Sequence, residues 1–262
     1  MATVDSAVQE LRHRIRSGQL QRPTSGLAPG YTQANLVIVP LGLAYDFLLF
    51  CQRNPKPCPL LEVLDVGDPE PRELAPGADI RTDIPRYRIY RHGVLADEVD
   101  DITPFWRDNL VSFLLGCSFT FEHPLMDAGI HMRHIDLDVN VPMYITNRPC
   151  KPAGVFHGPM VVSMRPIPQT QVVRAVQITS RFPDVHGAPV HLGDPAQLGI
   201  KAISQPDFGD AVTTRPDEVP VFWACGVTPQ AVMMQAKPEL AITHAPGYMF
   251  ISDRRESEFA VL

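Results

Sequence analysis

Residues 219–230 constrain the chain most. Val219, Pro220, Val221, Phe222, Trp223 and Ala224 form a short apolar run fenced by prolines, the mark of a buried strand. Cys225 and Gly226 then make a turn. Thr228 is placed to N-cap a helix, and Pro229 suits the first helical position, where its missing N–H costs nothing. Strand, tight turn and helix N-terminus aim free backbone N–H groups and the positive end of a helix dipole at one spot. The corner reads either as a carboxylate site, with Cys225, Gly226 and Thr228 holding the anion, or as architecture alone.

The alternation is not confined to this corner. Residues 34–39 read as a buried strand, 43–53 as a helix stopped by Pro55, Pro57 and Pro59, and 60–66 as a second strand. That order predicts a βαβ unit with a parallel pair and a right-handed crossover. Strand 219–224, its helix and strand 240–243 predict a second unit in the same sheet. Between them the pattern gives a hairpin over 87–90 and 94–99, a helix over 103–115, short strands at 134–137 and 143–146, a longer strand at 159–167, a helix over 168–182 and a strand at 190–192. Residues 6–16 read as an amphipathic surface helix. The expected class is α/β: a βαβ-based mixed sheet flanked by helices, with a smaller two-layer α+β domain inserted. Residues 1–117 with 205–262 form the main domain in this reading, and 118–204 the insert. The Ala-Pro-Gly-Tyr string at 28–31 and again at 245–248 reads as two similar turns, not a repeat.

Composition excludes several classes. A net charge of −6 is the wrong sign for a nucleic-acid partner. No apolar run reaches the ~18 residues of a membrane span, and Asp5 and Glu10 stand where a leader would be apolar, so a cytoplasmic protein is expected. Cys51, Cys58, Cys117, Cys150 and Cys225 are odd in number and scattered without a CxxC pair, which predicts reduced thiols and no structural zinc. The 27 prolines, spread along the chain, mark rigid loops rather than a disordered tail.

Three groups of residues could carry chemistry. His186, His191 and Asp194, followed by Asp207 and Asp210, sit in glycine-rich loops. They read as acid–base groups or divalent-metal ligands, or as turn residues bonding their own backbone. Around Gly116 and Cys117, Ser118 could cap a helix, Cys117 could be an activated thiol, and Glu122 lies among aromatics whose desolvation would raise its pKa. The alternatives are a small buried hydrophobe, a plain cap and a surface carboxylate. Arg133 and Arg165 are each readable as a bidentate carboxylate clamp or as a structural ion pair. His244 follows a strand end, where open parallel sheets bind ligands. Nothing resembles GxGxxG, a P-loop or GxSxG, so no nucleotide cofactor is expected.

The chain resembles the D-glutamate cyclase family. The strings that carry this are APGYTQANLVI at 28–38, DFLLFCQRNPKPCPLLEV at 46–63, LAPGADIRTDIP at 74–85, LGCSF at 115–119, NVPMY at 140–144, VVSMRP at 161–166, HGAPVH at 186–191, PVFWACGVTPQ at 220–230 and ITHAPG at 242–247. The family's named activity is dehydrative cyclisation of D-glutamate to 5-oxo-D-proline, while many bacterial members carry only a generic hydro-lyase label. The resemblance therefore implies a carbon–oxygen lyase acting on a small carboxylate. It assigns no residue roles. On the residues alone, His186 or His191 is the expected base. Glu122 or Asp194 is the expected acid. Arg133, Arg165, Ser118, His244 and the backbone of 225–228 are the expected carboxylate and oxyanion contacts. A divalent metal, Mn or Mg, could serve as Lewis acid instead, and a homodimer is compatible with the chain. A different hydro-lyase, removing a β-hydroxyl, and a non-catalytic carboxylate-binding protein are the other readings.

Overall fold

A computed structural model describes residues 6–261; Asp5 lies outside them. In chain order the elements are helix α1 (Ser6–Arg16), strand β1 (Tyr31–Pro40), α2 (Leu41–Arg53), β2 (Leu60–Val63), β3 (Tyr87–Arg91), β4 (Val94–Val99) and β5 (Leu110–Gly116). Then follow α3 (Glu122–Asp127), α4 (Arg133–Asp136), β6 (Met143–Pro149), β7 (Pro159–Pro168), α5 (Val172–Ser180), β8 (His191–Leu192), β9 (Glu218–Ala224), α6 (Thr228–Ala236), β10 (Ala241–His244) and β11 (Phe250–Arg255).

These strands make two sheets, and the fold is α/β. A seven-stranded sheet runs β2-β5-β1-β10-β3-β4, with β11 also pairing β1; a four-stranded sheet runs β6-β7-β9-β8. Every neighbouring pair is antiparallel. This corrects the expected parallel pairs. The first strand–helix–strand unit does return β2 in the direction of β1, but β5 slots between them and pairs antiparallel with both. The second unit does not close at all. β9 belongs to the smaller sheet and β10 to the larger, so α6 carries the chain from one to the other. Because β9 lies between β7 and β8, the smaller sheet draws on both 118–204 and 205–262.

Two further expectations fail for identifiable reasons. The predicted helix at 103–115 is a single 3-10 turn (Thr103–Phe105) followed by β5. Residues 110–116 are buried on both faces between β1 and β2, and a doubly buried strand has no period-2 signature to separate it from a buried helix. The expected strand at 134–137 is the short helix α4, closed by Asp138 at φ +52. The hairpin β3–β4, the helices α1, α2, α5 and α6 and the strands β6 to β9 form where the pattern places them.

Burial explains the layering. β1 alternates Leu36 and Ile38 into one core with Ile89, Leu114 and Ile242, and Val37 and Val39 into another with Phe47, Phe50, Phe113 and Phe156. Helices α2 and α6 cover that second face. A third core, built on Trp223, Phe121, Ile167 and α5, fills one face of the smaller sheet. The turn that follows β5 leaves the larger sheet and packs Phe121 beside Trp223, bringing chemistry-bearing residues of the two sheets together. Among the described residues no helix is long and apolar enough to cross a membrane.

Candidate functional site

Strand β7 alternates, so Ser163 and Arg165 share a face. Arg165 is fully buried there, its guanidinium between the rings of Phe121 and Trp223 at 5.5 Å from each. Its donors are spent inside the protein. Nη1 donates to Ser163 Oγ (2.9 Å), Nη2 to Ser118 Oγ (3.0 Å), and Nε to Glu122 Oε1 (2.9 Å), which Nη2 also reaches. Ser118 and Glu122 arrive on the 3-10 turn Ser118–Phe121 and the first residue of α3. From α4, His134 Nε2 lies 3.1 Å from the same Glu122 oxygen. Ser25, in the loop before β1, donates to Glu122 Oε2 at 3.2 Å and sits 3.4 Å from His134 Nε2. A continuous polar chain thus runs from Arg165 at the bottom through Glu122 and His134 to Ser25 at the top.

The electrostatics differ from the expectation for Glu122. Burial pushes its pKa up, but the neighbouring His134 and Arg165 and their hydrogen bonds outweigh this and bring it down to about 2. Glu122 is therefore a fixed carboxylate rather than an acid with a raised pKa. An ionised carboxylate only accepts hydrogen bonds, so the proton between Glu122 Oε1 and His134 Nε2 rests on the imidazole.

Ser25 and His134 open on a cavity of about 330 Å³, with Arg22, Asp138, Asn140 and Asp210 also in its wall. A second cavity of about 420 Å³ shares Pro23, Asn140 and Asp210 with it and adds Arg86, Asp207 and Tyr248. Arg22 and Arg88 in these walls are paired, with Asp138 at 2.8 Å and Glu98 at 2.6 Å.

Of the sequence-predicted residues, Ser118, Glu122 and Arg165 meet in this centre and the others lie elsewhere. His186 is buried at a left-handed φ of +81, its Nδ1 2.8 Å from the Lys56 carbonyl, in the wall of a separate cavity of about 540 Å³. Burial, with some repulsion from Lys56 and Arg165, lowers its pKa to about 4. His191 Nε2 bonds the Asp194 carbonyl (2.8 Å), and the Asp194 carboxylate accepts from Ala196 N (2.9 Å), which is turn chemistry. Arg133 pairs with Glu218 and donates to Thr213 O (2.7 Å), a structural ion pair. Ser118 does not cap the turn. Cys117 does, its sulfur accepting from Phe119 N at 3.5 Å, and burial raises rather than lowers that thiol's pKa.

The opening corner is sealed. Thr228 is the first residue of α6 rather than its cap; its hydroxyl donates to Cys225 O (2.7 Å) and accepts from Val161 N (3.0 Å). Gly226 packs so tightly on Asn35 that a Cβ there would lie 2.0 Å from the Asn35 amide nitrogen. Cys225 is buried, which pushes its thiol up to about 11. His244, fully buried, accepts from Leu36 N through Nδ1 (3.1 Å), and burial brings its pKa down to about 4.

His134 follows Arg133 in the group of residues around Gly116 to Glu122 that could carry chemistry, but the sequence gives it no role, and it singles out none of Ser25, Ser163, Asn140 and Arg86. Ser163 carried a usable signal, two residues before an arginine on an apolar strand. Ser25 carried none, because it is brought in from far along the chain. Among the described residues no group of three or more His, Cys, Asp or Glu side chains is placed to hold a metal ion. The oxygens of Glu122 are already engaged by Arg165, His134 and Ser25, so the centre does not fit a divalent cation.

An α/β protein with a buried Arg165–Glu122–His134–Ser25 network opening on paired polar cavities is the class these features define. Residues 111–253 match the family model described as D-glutamate cyclase. A protein of Stutzerimonas stutzeri is 66% identical over 98% of this chain and 97% of its own length, and YcsI of Bacillus subtilis is 60% identical over 98% and 100%. A Bacillus pumilus protein is 64% identical over 97% and 96%. Each of the three carries the name "Putative hydro-lyase". The chain belongs to the D-glutamate cyclase family.

Proposed function

We propose that this protein is a hydro-lyase that cyclises D-glutamate to 5-oxo-D-proline with loss of water, at the mouth formed by Ser25 and His134. The observation that carries the reading is the network itself: a histidine held against a glutamate that is ionised at neutral pH, linked through one hydroxyl to a cavity. Family membership supports the lyase class and this substrate.

The chemistry has to move two protons. The amine of glutamate attacks its own γ-carboxyl carbon, a C–N bond forms, a C–O bond breaks, and the ammonium nitrogen loses two protons while the departing oxygen gains two. A carboxylate is a poor electrophile, so His134 first gives a proton, through Ser25, to a γ-carboxylate oxygen. The ammonium returns one proton by the same route and frees the nitrogen to attack. After addition, the nitrogen's second proton passes through the relay to the leaving hydroxyl. The protein ends in the protonation state it began in. Glu122 stabilises the charged imidazole, and Arg165 keeps Glu122 ionised between Phe121 and Trp223. Ring closure is intramolecular, so a cavity that holds the chain folded supplies much of the rate.

The test is incubation of the purified protein with D- and L-glutamate, following 5-oxoproline by chiral chromatography, with and without chelator and added Mn or Mg. D-selective product that is lost in His134→Ala supports the reading. Absence of product from both isomers under every metal condition, with the protein folded, removes it and turns the search to hydroxy acids.

A further inference from the structure

We propose that the 420 Å³ cavity beside the Ser25–His134 mouth is a subsite for the zwitterionic head of an α-amino acid, with Arg86 clamping the carboxylate and Asn140 and Asp210 receiving the ammonium. The proposal rests on the reading of that mouth as the reacting end, and it deepens it by naming the side chains that hold the two charges of the substrate's head.

Arg88 is committed to Glu98. Arg86, in the same wall, makes no salt bridge among the described residues; its guanidinium lies over the Tyr248 ring at 6.0 Å, and its buried Nε has no hydrogen-bond partner. A guanidinium with unmet donors in a cavity calls for a planar anion, and a carboxylate matches its fork. On the opposite side of the charge balance, Asn140 donates through Nδ2 to Pro246 O (2.9 Å), while its buried Oδ1 accepts nothing. That acceptor is held in place: Gly247, at φ +89, lets the backbone come so close that a Cβ would sit 2.5 Å from the Asn140 amide. Asp210 accepts from Asn140 N through Oδ2 (2.9 Å), and Asp207 from Ile145 N through Oδ2 (2.7 Å). An unmet guanidinium and an unmet amide oxygen flanked by two carboxylates present one anion-seeking and one donor-seeking end.

Position fixes the order. Asn140 and Asp210 line both cavities, whereas Arg86 lines only the one farther from Ser25. An amino acid seated by these groups puts its nitrogen at the junction, next to the relay that must take its protons, and its α-carboxylate away from it. A hydroxyl in place of the ammonium would satisfy Asn140 Oδ1 but leave the aspartates without a cation.

The experiment is isothermal titration of the full chain with three probes: D-glutamate, D-2-hydroxyglutarate and 4-aminobutyrate. Wild type should bind D-glutamate at least about tenfold more tightly than either analogue, one charge-assisted contact being worth roughly that factor. Arg86→Ala and Arg86→Gln should each weaken D-glutamate about tenfold or more and leave 4-aminobutyrate, which has no α-carboxylate, unchanged. Asp210→Asn should erase the preference for D-glutamate over D-2-hydroxyglutarate. Unaltered D-glutamate affinity in both Arg86 variants, or equal losses for D-glutamate and 4-aminobutyrate, overturns the proposal. The two readings separate cleanly. Turnover of D-glutamate with KM unmoved by Arg86→Gln removes the subsite and keeps the reaction. The predicted binding pattern without any turnover keeps the subsite and removes the reaction.

Discussion

Two strand–turn–helix corners of this protein begin alike and end differently. β9 runs through Cys225 and Gly226 into α6, and β5 runs through Gly116 and Cys117 into a 3-10 turn and α3. At the first, the Thr228 hydroxyl and the backbone amides around it are used by the protein. Thr228 N and Gln230 N donate to Cys225 O and Val227 O (3.0 and 2.9 Å), the Thr228 hydroxyl bridges to β7, and Asn35 fills the space over Gly226. At the second, the turn delivers Ser118 and Glu122 to a buried arginine and leaves a histidine and a serine facing a cavity. A helix N-terminus becomes a site only where the fold leaves its polar groups unspent, and local sequence does not say where that is.

Glu122→Gln should separate the corners most strongly. It leaves Arg165 buried at 0% exposure with no anion, which costs about 3–5 kcal/mol. Turnover per folded molecule should fall about 10²–10⁴-fold. Denaturant titration and rate measurement on the same sample check both. A variant as stable as wild type would mean that the Arg165–Glu122 pair does not hold this centre together.

Acid should strain both corners at once. His244 sits beside α6, whose Gln230 side chain donates to its carbonyl (2.8 Å), and His186 sits within the field of Arg165. Both have folded pKa values of about 4, below the ordinary 6.5, burial being the first cause. Between those values the unfolded chain binds more protons than the folded one. Stability is therefore complete above about pH 6.5 and falls as pH drops toward 4, by about 1.4 kcal/mol per unit per histidine in mid-window. Glu122 adds its own loss only below 4.5, since its folded pKa is depressed. Replacing either histidine with Asn should remove about half of the slope between pH 6 and 5. An unchanged slope in the His244→Asn variant would show that this imidazole is not buried neutral.

Gly226→Ala tests the sealed corner directly. The new Cβ meets the Asn35 amide, and overpacking of this kind costs about 1–3 kcal/mol. KM and kcat of the folded fraction should stay as in wild type, because no residue of that corner lines either cavity beside Ser25 and His134. The loss should be smaller than additive when combined with Asn35→Ala, which removes the colliding group.

Much of the fold was legible because α1 and α5 are amphipathic, α6 opens on a Thr-Pro start signal, and the hairpin turns on His92 and Gly93. β5 was not, since a strand buried on both faces carries no alternation. Strand pairing was not either: βαβ order is indifferent to whether a distant strand such as β5 later inserts between the two. At the site, Glu122, Arg165 and Ser118 stood out as polar residues among aromatics and aliphatics, and they do meet. The paired histidine and aspartate of 191–194 stood out equally and are a turn. Ser25 and His134 lie 109 residues apart and become neighbours only through tertiary packing.

The smallest contrast is also the cleanest. Thr228 and Ser118 each supply one buried hydroxyl at the end of a strand–turn, and each should cost about 1–2 kcal/mol when the hydroxyl is removed. In Thr228→Val the loss falls on Val161 N, a backbone group away from the Ser25–His134 cavity. In Ser118→Ala it falls on Arg165 Nη2, which retains Glu122 and keeps its carboxylate ionised. Equal destabilisation with different kinetics is therefore the expected result: unchanged turnover in the first, and turnover reduced by a few-fold to about tenfold in the second. Should both variants keep wild-type turnover, Arg165 would be acting as structural support for Glu122 rather than as part of the relay's electrostatics, and the two corners would differ only in which of them happens to adjoin a cavity.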